Sequence, residues 1–309
     1  MSHAPTCSAV DQASAIMIVS TMKLPAVPSD PRFEDRVVRV TPLVTVGEFH
    51  CTVAHPRFED SGRIRQDCFV FPRLAVAIEH EHEAPFVANA AVATFYNAGQ
   101  AYRRSAISAE GDRCDWFGVT RELALEVVAA IDPAAPDRAS EPFGWTRGPV
   151  EAGWCLHERE FMRRLRSGAP IDDATLEEQV VWWLAVLARA GRQHVAPAVS
   201  ITSRTRDAVH AAERLLSEHW RDSWSLADLS RAAGLSVFHL CRGFRRLTGR
   251  IMHQYRETLR LRASLDALQD YRRSVTEIAL DAGFSSHSHF TTAFRRKFGR
   301  TPSHVRAPS

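Results

Sequence analysis

The chain has 309 residues, of which 45% are hydrophobic, and its 39 Lys and Arg nearly balance 36 Asp and Glu, for a net charge of +3. That length accommodates two domains, each with a core of its own. No apolar run reaches the ~18 residues that a membrane span requires. Six cysteines (Cys7, Cys51, Cys68, Cys114, Cys155 and Cys241) stand far apart without a C-x-x-C pair. This argues against a disulfide framework and fits reduced thiols in a cytoplasm.

The near-neutral total conceals an asymmetry. Residues 204–309 hold 19 Lys and Arg against 10 Asp and Glu, whereas residues 1–203 hold 20 against 26. A basic third joined to an acidic two-thirds predicts a nucleic-acid-binding module attached to a part with a different task.

Taken in chain order, residues 1–35 are expected to be a disordered tail. The stretch 14–28 is mildly apolar but contains Lys23, Pro25 and Pro28, and no basic region precedes it. It does not make a signal peptide, and Met17 or Met22 is a candidate start. Between residues 36 and 120, short β-type runs alternate with turn residues. Residues 37–46 lead into Gly47 as a turn, followed by strands over 48–54, 69–71, 74–79, 92–96 and 114–119. Strands of this length and spacing predict an antiparallel sandwich or small barrel.

Within this part, Glu79-His-Glu-His-Glu83 reads as a solvated hairpin. Metal binding by His80 and His82 is the alternative, because a His-x-His strand places both rings on one side. The polar stretch from Asn97 to Arg103 either lines a ligand pocket or makes a turn.

From Arg121 the apolar period becomes helical, with helices expected over 121–131, 154–166 and 173–190. Asp172 is the expected N-cap of the last, with Glu177 and Glu178 in its early turns, where the helix dipole favours carboxylates. Trp154, Trp182 and Trp183 read as core or dimer contacts at helical spacing. Residues 191–205 read as a linker, and 121–190 as a helical dimerisation region.

Beyond the linker, helices are expected over 206–220, 225–233, 236–247, 252–270, 274–282 and 286–298. Ser225-Leu-Ala-Asp228 and Ser274-Val-Thr-Glu277 are capping-box patterns, and Ser236 is a third N-cap. Here the chain repeats itself. Phe244-Arg-Arg-Leu-Thr-Gly-Arg250 returns fifty residues later as Phe294-Arg-Arg-Lys-Phe-Gly-Arg300, and each copy follows an Ala-Gly-(Leu/Phe)-Ser turn, at 233–236 and 282–285. Each unit has the parts that a helix-turn-helix needs. There is a small residue in the first helix (Ser230, Ala279), a glycine at the turn (Gly234, Gly283) and apolar anchors in the second helix (Leu240 with Phe244, Phe290 with Phe294). Leu226, Leu229 and Leu235, and correspondingly Val275, Ile278 and Phe284, are expected in two small cores. The intervening helix carries Tyr255, Leu259, Leu261 and Leu265 on one side and sets the separation of the two units.

Residues 204–309 resemble the DNA-binding domain of the AraC/XylS transcription regulators. The resemblance rests on Ile278-Ala-Leu-Asp-Ala-Gly-Phe-Ser-Ser286, His289-Phe290, Phe294-Arg-Arg-Lys-Phe-Gly299 and Thr301-Pro-Ser303. Met252 departs from a usual proline and Val305 from a common aromatic. The resemblance implies an α+β protein of two domains. An N-terminal cupin-like β-barrel or sandwich with a helical dimerisation region would precede an all-α domain with helix-turn-helix units at 225–247 and 274–298. It also implies an effector-responsive activator in a bacterial cytoplasm, with double-stranded promoter DNA, RNA polymerase, a small-molecule effector and a second copy of itself as partners, and with no cofactor.

Bases are read by the exposed face of each second helix, while phosphates are held by cations and helix ends. The base-contact candidates are Val237, Phe238, Cys241 and Arg242 in the first unit. By the family pattern they are His287, Ser288, Thr291 and Thr292 in the second. Arg245, Arg246, Arg295, Arg296 and Lys297 are the phosphate candidates. Arg242 is suited to guanine, and Val237 or Phe238 to a thymine methyl. A rival reading is a metal-dependent cupin enzyme with an accessory helical domain. A third, a DNA-repair regulator alkylated on a cysteine, lacks clustered ligand cysteines.

Overall fold

The structure is a computed structural model that describes residues 30–60, 62–81, 83–194 and 201–306. Cys7, both candidate starts, most of the expected tail, His82 and the middle of the expected linker lie outside the described residues. Among the described residues no helix is long and apolar enough to cross a membrane.

Among the described residues nine strands form two antiparallel sheets. They are β1 (Phe33–Val40), β2 (Val44–Cys51), β3 (Cys68–Pro72), β4 (Val76–His80), β5 (Phe86–Ala88), β6 (Val92–Tyr96), β7 (Tyr102–Ala106), β8 (Asp112–Val119) and β9 (Arg147–Pro149). The large sheet has the order β1-β2-β8-β3-β6-β9 and the small one β5-β4-β7. Because side chains alternate across a strand, the large sheet presents two different faces. Val46, Phe69, Phe71, Phe95 and Phe117 point into an apolar core shared with the helices. Cys68, Val70, Tyr96 and Trp116 point the other way, into a cavity that also touches Val76, Ile78 and Tyr102 of the small sheet.

Helices α1 (Arg121–Ala129), α2 (Ala152–Arg166) and α3 (Asp173–His194) cover the first face. Trp183 is fully buried there, its ring 5.2 Å from that of Phe117. Trp182 is 50% exposed and packs edge-on against Trp154. The Asp172 carboxylate accepts from the Thr175 amide, as an N-cap should.

The helical third comprises α4 (Ser203–Glu218), α5 (Leu226–Ala233), α6 (Val237–Thr248), α7 (Met252–Ala267), α8 (Val275–Asp281), α9 (His287–Phe298) and α10 (Pro302–Arg306). One apolar cluster gathers Val209, Ala212 and Leu216 of α4 with Leu229, Leu240, Phe244, Met252, Tyr255 and Leu259. Leu261, Leu265, Ile278, Phe284, Phe290 and Phe294 belong instead to the core that continues into α2, α3 and the large sheet.

A buried ionic cluster ties these layers together. Asp115 of β8 accepts from Arg73 at 2.5 Å and from Arg159 of α2 at 2.8 Å, and Arg159 lies 3.4 Å from Asp266 of α7. Burial alone would raise the Asp115 pKa, but Arg73, the Glu158 carboxyl and Arg159 bring it below the ordinary carboxylate value. Neighbouring Glu158 is pushed well above the ordinary carboxylate value, chiefly by burial.

Several expectations need correction. Strand β1 begins at Phe33, inside the expected tail, because residues 33–40 pair with β2. Gly47 is not a turn: it lies within β2 opposite Trp116, and a Cβ there would sit 2.2 Å from the indole. Glycine is needed for that close approach, and the turn falls at Thr41-Pro-Leu43 instead. The region 121–190 is not wholly helical, since β9 returns to pair with β6. Helix α3 runs to His194 and α4 starts at Ser203 behind the N-cap Thr202, so the expected linker is shortened from both ends. Leu226 is exposed at the opening of α5 rather than buried.

His80 is no solvated hairpin residue. It is buried at the end of β4 between Phe86, Tyr96 and Tyr102, with Nδ1 2.8 Å from Gln100. Burial lowers its pKa to about 4, so the ring is neutral. The stretch from Asn97 is both turn and lining. Asn97 brackets the Phe143 backbone, and Tyr102 reaches the cavity.

Removing Asp115 strands two buried guanidinium groups. Asp115→Ala is therefore expected to destabilise the chain by about 3–5 kcal/mol, measured by urea unfolding. A loss under 1 kcal/mol would mean that Arg73 and Arg159 find other partners.

Candidate nucleic-acid interface and the enclosed cavity

Each of the two helix pairs in the basic third is assembled by local chemistry. Ser225 and Asp228 form a capping box at α5, as do Ser274 and Glu277 at α8. Each box satisfies two amides that the helix start would otherwise leave unpaired. After α5 the chain turns at Gly234 and re-enters a helix behind Ser236, whose hydroxyl accepts from the His239 amide. After α8 it turns at Gly283 and re-enters behind Ser286. Gly283 has φ +76°, and a Cβ on it would lie 2.7 Å from the Arg221 carbonyl oxygen. Both the handedness of the turn and its contact with the α4–α5 loop demand glycine.

Burial then divides each second helix into two faces. On α6, Leu240, Gly243 and Phe244 turn inward. Val237 and Phe238 are exposed, Phe238 to 67%, while Cys241 is half-buried. Arg242, Arg245 and Arg246 are exposed and make no ion pair among the described residues. On α9, Phe290, Ala293, Phe294 and Phe298 turn inward, leaving His287, Ser288, Thr292 and Arg295 exposed and Thr291 half-buried. The first face is therefore apolar and cationic, and the second is short, polar and neutral until Arg295.

Two of the phosphate candidates are constrained. Arg296 reaches both carboxylate oxygens of Glu257 on α7, at 2.8 and 2.9 Å. Lys297 is half-buried, and its pKa is lowered first by burial and then by Arg250 and Arg262. Arg300, which closes the repeat, pairs with Glu160 of α2 at 2.8 Å. Glu257 and Glu160 were not legible as partners, because they lie 39 and 140 positions away on other helices. Arg262 is fully buried on α7 and donates to the Val150 carbonyl, so it is unavailable to any outside ligand.

The two sheets flank a cavity of about 210 Å³ that opens to solvent at one side. Val70, Thr94, Tyr96 and Trp116 line it from the large sheet, and Val76, Ile78, Ala88 and Tyr102 from the small one. Its one deep charge, Asp112, is held by Arg104 at 2.7 Å. Asp35, Arg63 and Arg65 stand at the exposed rim. Burial pushes the Cys68 thiol up to about 12 and Cys114 well above its ordinary value, so neither is primed as a nucleophile. Among the described residues no three His, Cys, Asp or Glu side chains gather as a metal site.

Comparison with known proteins places the basic third. Residues 229–308 match the family model of a helix-turn-helix domain. The transcriptional regulator ExsA of Pseudomonas aeruginosa is 32% identical over 98 residues, 32% of this chain and 35% of its own length. GlxA of Rhizobium meliloti, also a transcriptional regulator, is 44% identical over 82 residues, 26% of this chain and 25% of its own. The transcriptional activator RhaS of Escherichia coli is 34% identical over 91 residues, 29% of this chain and 33% of its own. The alignment thus spans about a third or less of each of these relatives. Among solved structures, ToxT from Vibrio cholerae aligns with 89% of this chain and 98% of its own at 13% identity, with a TM-score of 0.33, too low to imply a common arrangement. Residues 229–308 thus hold a helix-turn-helix domain, and this part of the chain is similar to the matching parts of named transcription regulators.

Proposed function

We propose that the whole chain is a sequence-specific DNA-binding transcription regulator, an activator that responds to a small effector, and not an enzyme. The carrying observation is that both second helices, α6 and α9, bury their aromatic anchors and leave the opposite faces in solvent. Two readers on one rigid support engage successive major grooves, and arginines beside them hold the backbone. Arg242 reads guanine, Phe238 and Val237 meet thymine methyls, and His287, Ser288, Thr291 and Thr292 discriminate less sharply. Arg245, Arg246 and Arg295 contact phosphates. Arg296 and Lys297 do so once Arg296 is released from Glu257.

The cavity supports the effector reading. Its aromatic and aliphatic walls, with Asp112 deep inside and Asp35, Arg57, Arg63 and Arg65 at the rim, suit a small ligand with an apolar body and a polar or charged end. The two sheets support the cupin-like assignment of residues 36–120. The exposed Trp182 on α3 supports a dimer contact in the helical region. RNA polymerase as a partner and a bacterial cytoplasm as the location follow from the regulator reading. Every relative described above is named as a regulator or an activator, which supports a non-enzymatic role over the metal-dependent cupin alternative.

Selection of bound sites from random duplexes tests the assignment of roles. Arg242→Ala is expected to relax preference at one base pair, losing about 1–3 kcal/mol of discrimination. Arg295→Ala is expected to weaken all duplexes alike and to reduce the salt slope of binding by about one. Identical behaviour of the two variants would refute the division of faces. For the unaltered chain, log affinity should fall linearly with log salt, by about 0.9 per phosphate contacted; a flat response would refute DNA binding through these arginines.

A further inference from the structure

Arg73, Arg104 and Arg159 are buried with a carboxylate beside each. Three other arginines, at the seam where β9 meets α4 and α7, are not so matched. Among the described residues Arg147, Arg250 and Arg262 make no ion pair. Arg262 is fully buried, and its Nε and Nη1 find no hydrogen-bond partner. Its Nη2 donates to the Val150 carbonyl at 2.5 Å, and Nη2 of Arg250 donates to the same oxygen at 3.1 Å. Two guanidinium groups therefore share one neutral acceptor. Arg147 of β9 is half-buried, with its guanidinium carbon 4.5 Å from the centroid of the Phe86 ring.

Taking a charge out of water is costly unless an opposite charge goes with it. Burial lowers the pKa of all three guanidinium groups, that of Arg262 to about 10, where Arg250 and Arg159 add their repulsion. One acid is at hand, Glu213 of α4. It shares its cleft with Arg147 from β9, His194 from the end of α3, Tyr255 from α7 and Arg250 from the turn before α7. His210, one turn earlier on α4, also feels Arg147. Burial raises the Glu213 pKa to about 7, against the opposing effects of Arg147 and Tyr255. Near neutral pH this carboxyl supplies about half a negative charge to three positive ones.

The cleft has room for a second anion. Arg147, His194, Glu213, Thr248, Arg250 and Tyr255 line a space of about 20 Å³. On that measure a water-sized sphere needs roughly 10–15 Å³. A monatomic ion fits, whereas a phosphate, a sulfate or an organic acid does not. We propose that this cleft binds one halide ion, chloride, between Arg147 and Arg250, with the charge of Arg262 adding to the field beside Arg250. The ion joins a strand of the large sheet to the turn that leads into α7. It is a structural ligand, and its binding is independent of whether the chain regulates transcription. Ionised Glu213 competes with it, so chloride binds more tightly when Glu213 takes up a proton.

Urea unfolding of the full chain tests the site, with sodium chloride replaced stepwise by sodium gluconate at fixed ionic strength. In wild type the folded-to-unfolded ratio should grow with chloride, by about 11-fold at ten times the dissociation constant. Arg147→Gln and Arg250→Gln should lose that growth whatever their own stability. Arg272→Gln, which breaks only an exposed pair with Asp270, should keep it. Glu213→Gln should lower the dissociation constant, since the competing charge is gone. Bromide in crystals of the full chain should give an anomalous-scattering peak between Arg147 and Arg250. Equal stability of wild type in chloride and gluconate would overturn the proposal. So would a chloride response that survives in both arginine variants, or bromide peaks confined to other places. A higher dissociation constant in Glu213→Gln would overturn the competition.

Discussion

Over its 16 residues, helix α7 belongs to two cores at once. Met252, Tyr255 and Leu259 close the cluster around α4, α5 and α6, while Leu261 and Leu265 enter the core shared by α8, α9 and the helices on the large sheet. Neither helix pair could bury its anchors alone, since units this small have too little apolar surface to fold independently. By serving both, α7 fixes how the exposed face of α6 stands relative to that of α9. The same helix carries Arg262 to the Val150 carbonyl and Asp266 to Arg159, so the spacing of the readers and their attachment to the rest of the chain depend on one element.

Position, rather than residue type, sorts the arginines. Arg242, Arg245, Arg246 and Arg295, on the outward faces of α6 and α9, have solvent around them and suit a polyanion, whereas Arg296 is held by Glu257. Those on α7 and at the ends of the units are spent on carbonyls and carboxylates within the protein. A net charge alone would have credited all of them to DNA. The buried cluster of Arg73, Asp115, Glu158 and Arg159 makes a similar point: its charges serve the joining of layers and are out of reach of any ligand. The cavity lies on the opposite face of the large sheet, so space for a ligand is kept apart from the core that supports the readers.

Much of the basic third was legible because its signals are local. Capping boxes at Ser225 and Ser274, the glycine turns and the spacing of Leu240, Phe244, Phe290 and Phe294 depend on residues within a few positions of one another. What escaped was set by contacts distant in sequence. Gly47 resembles a turn until Trp116 is seen across the strand from it, and His80 resembles a solvated residue until three aromatic rings close over it. Strands β7 and β9 are short and rich in arginine, so no alternation of apolar residues marks them. The roles of Glu160, Glu257 and Arg262 follow from helix packing, which a linear pattern does not contain. Even Ala91, small and unremarkable in the sequence, is buried in the core of the first helix pair.

The central claim is that α7 holds two readers against one duplex. Hydroxyl-radical footprinting of the full chain on a selected site tests it most directly. Two protected patches centred about 10 base pairs apart on the same face of the DNA are the predicted result. Protection confined to one patch, or spread over opposite faces, would contradict it.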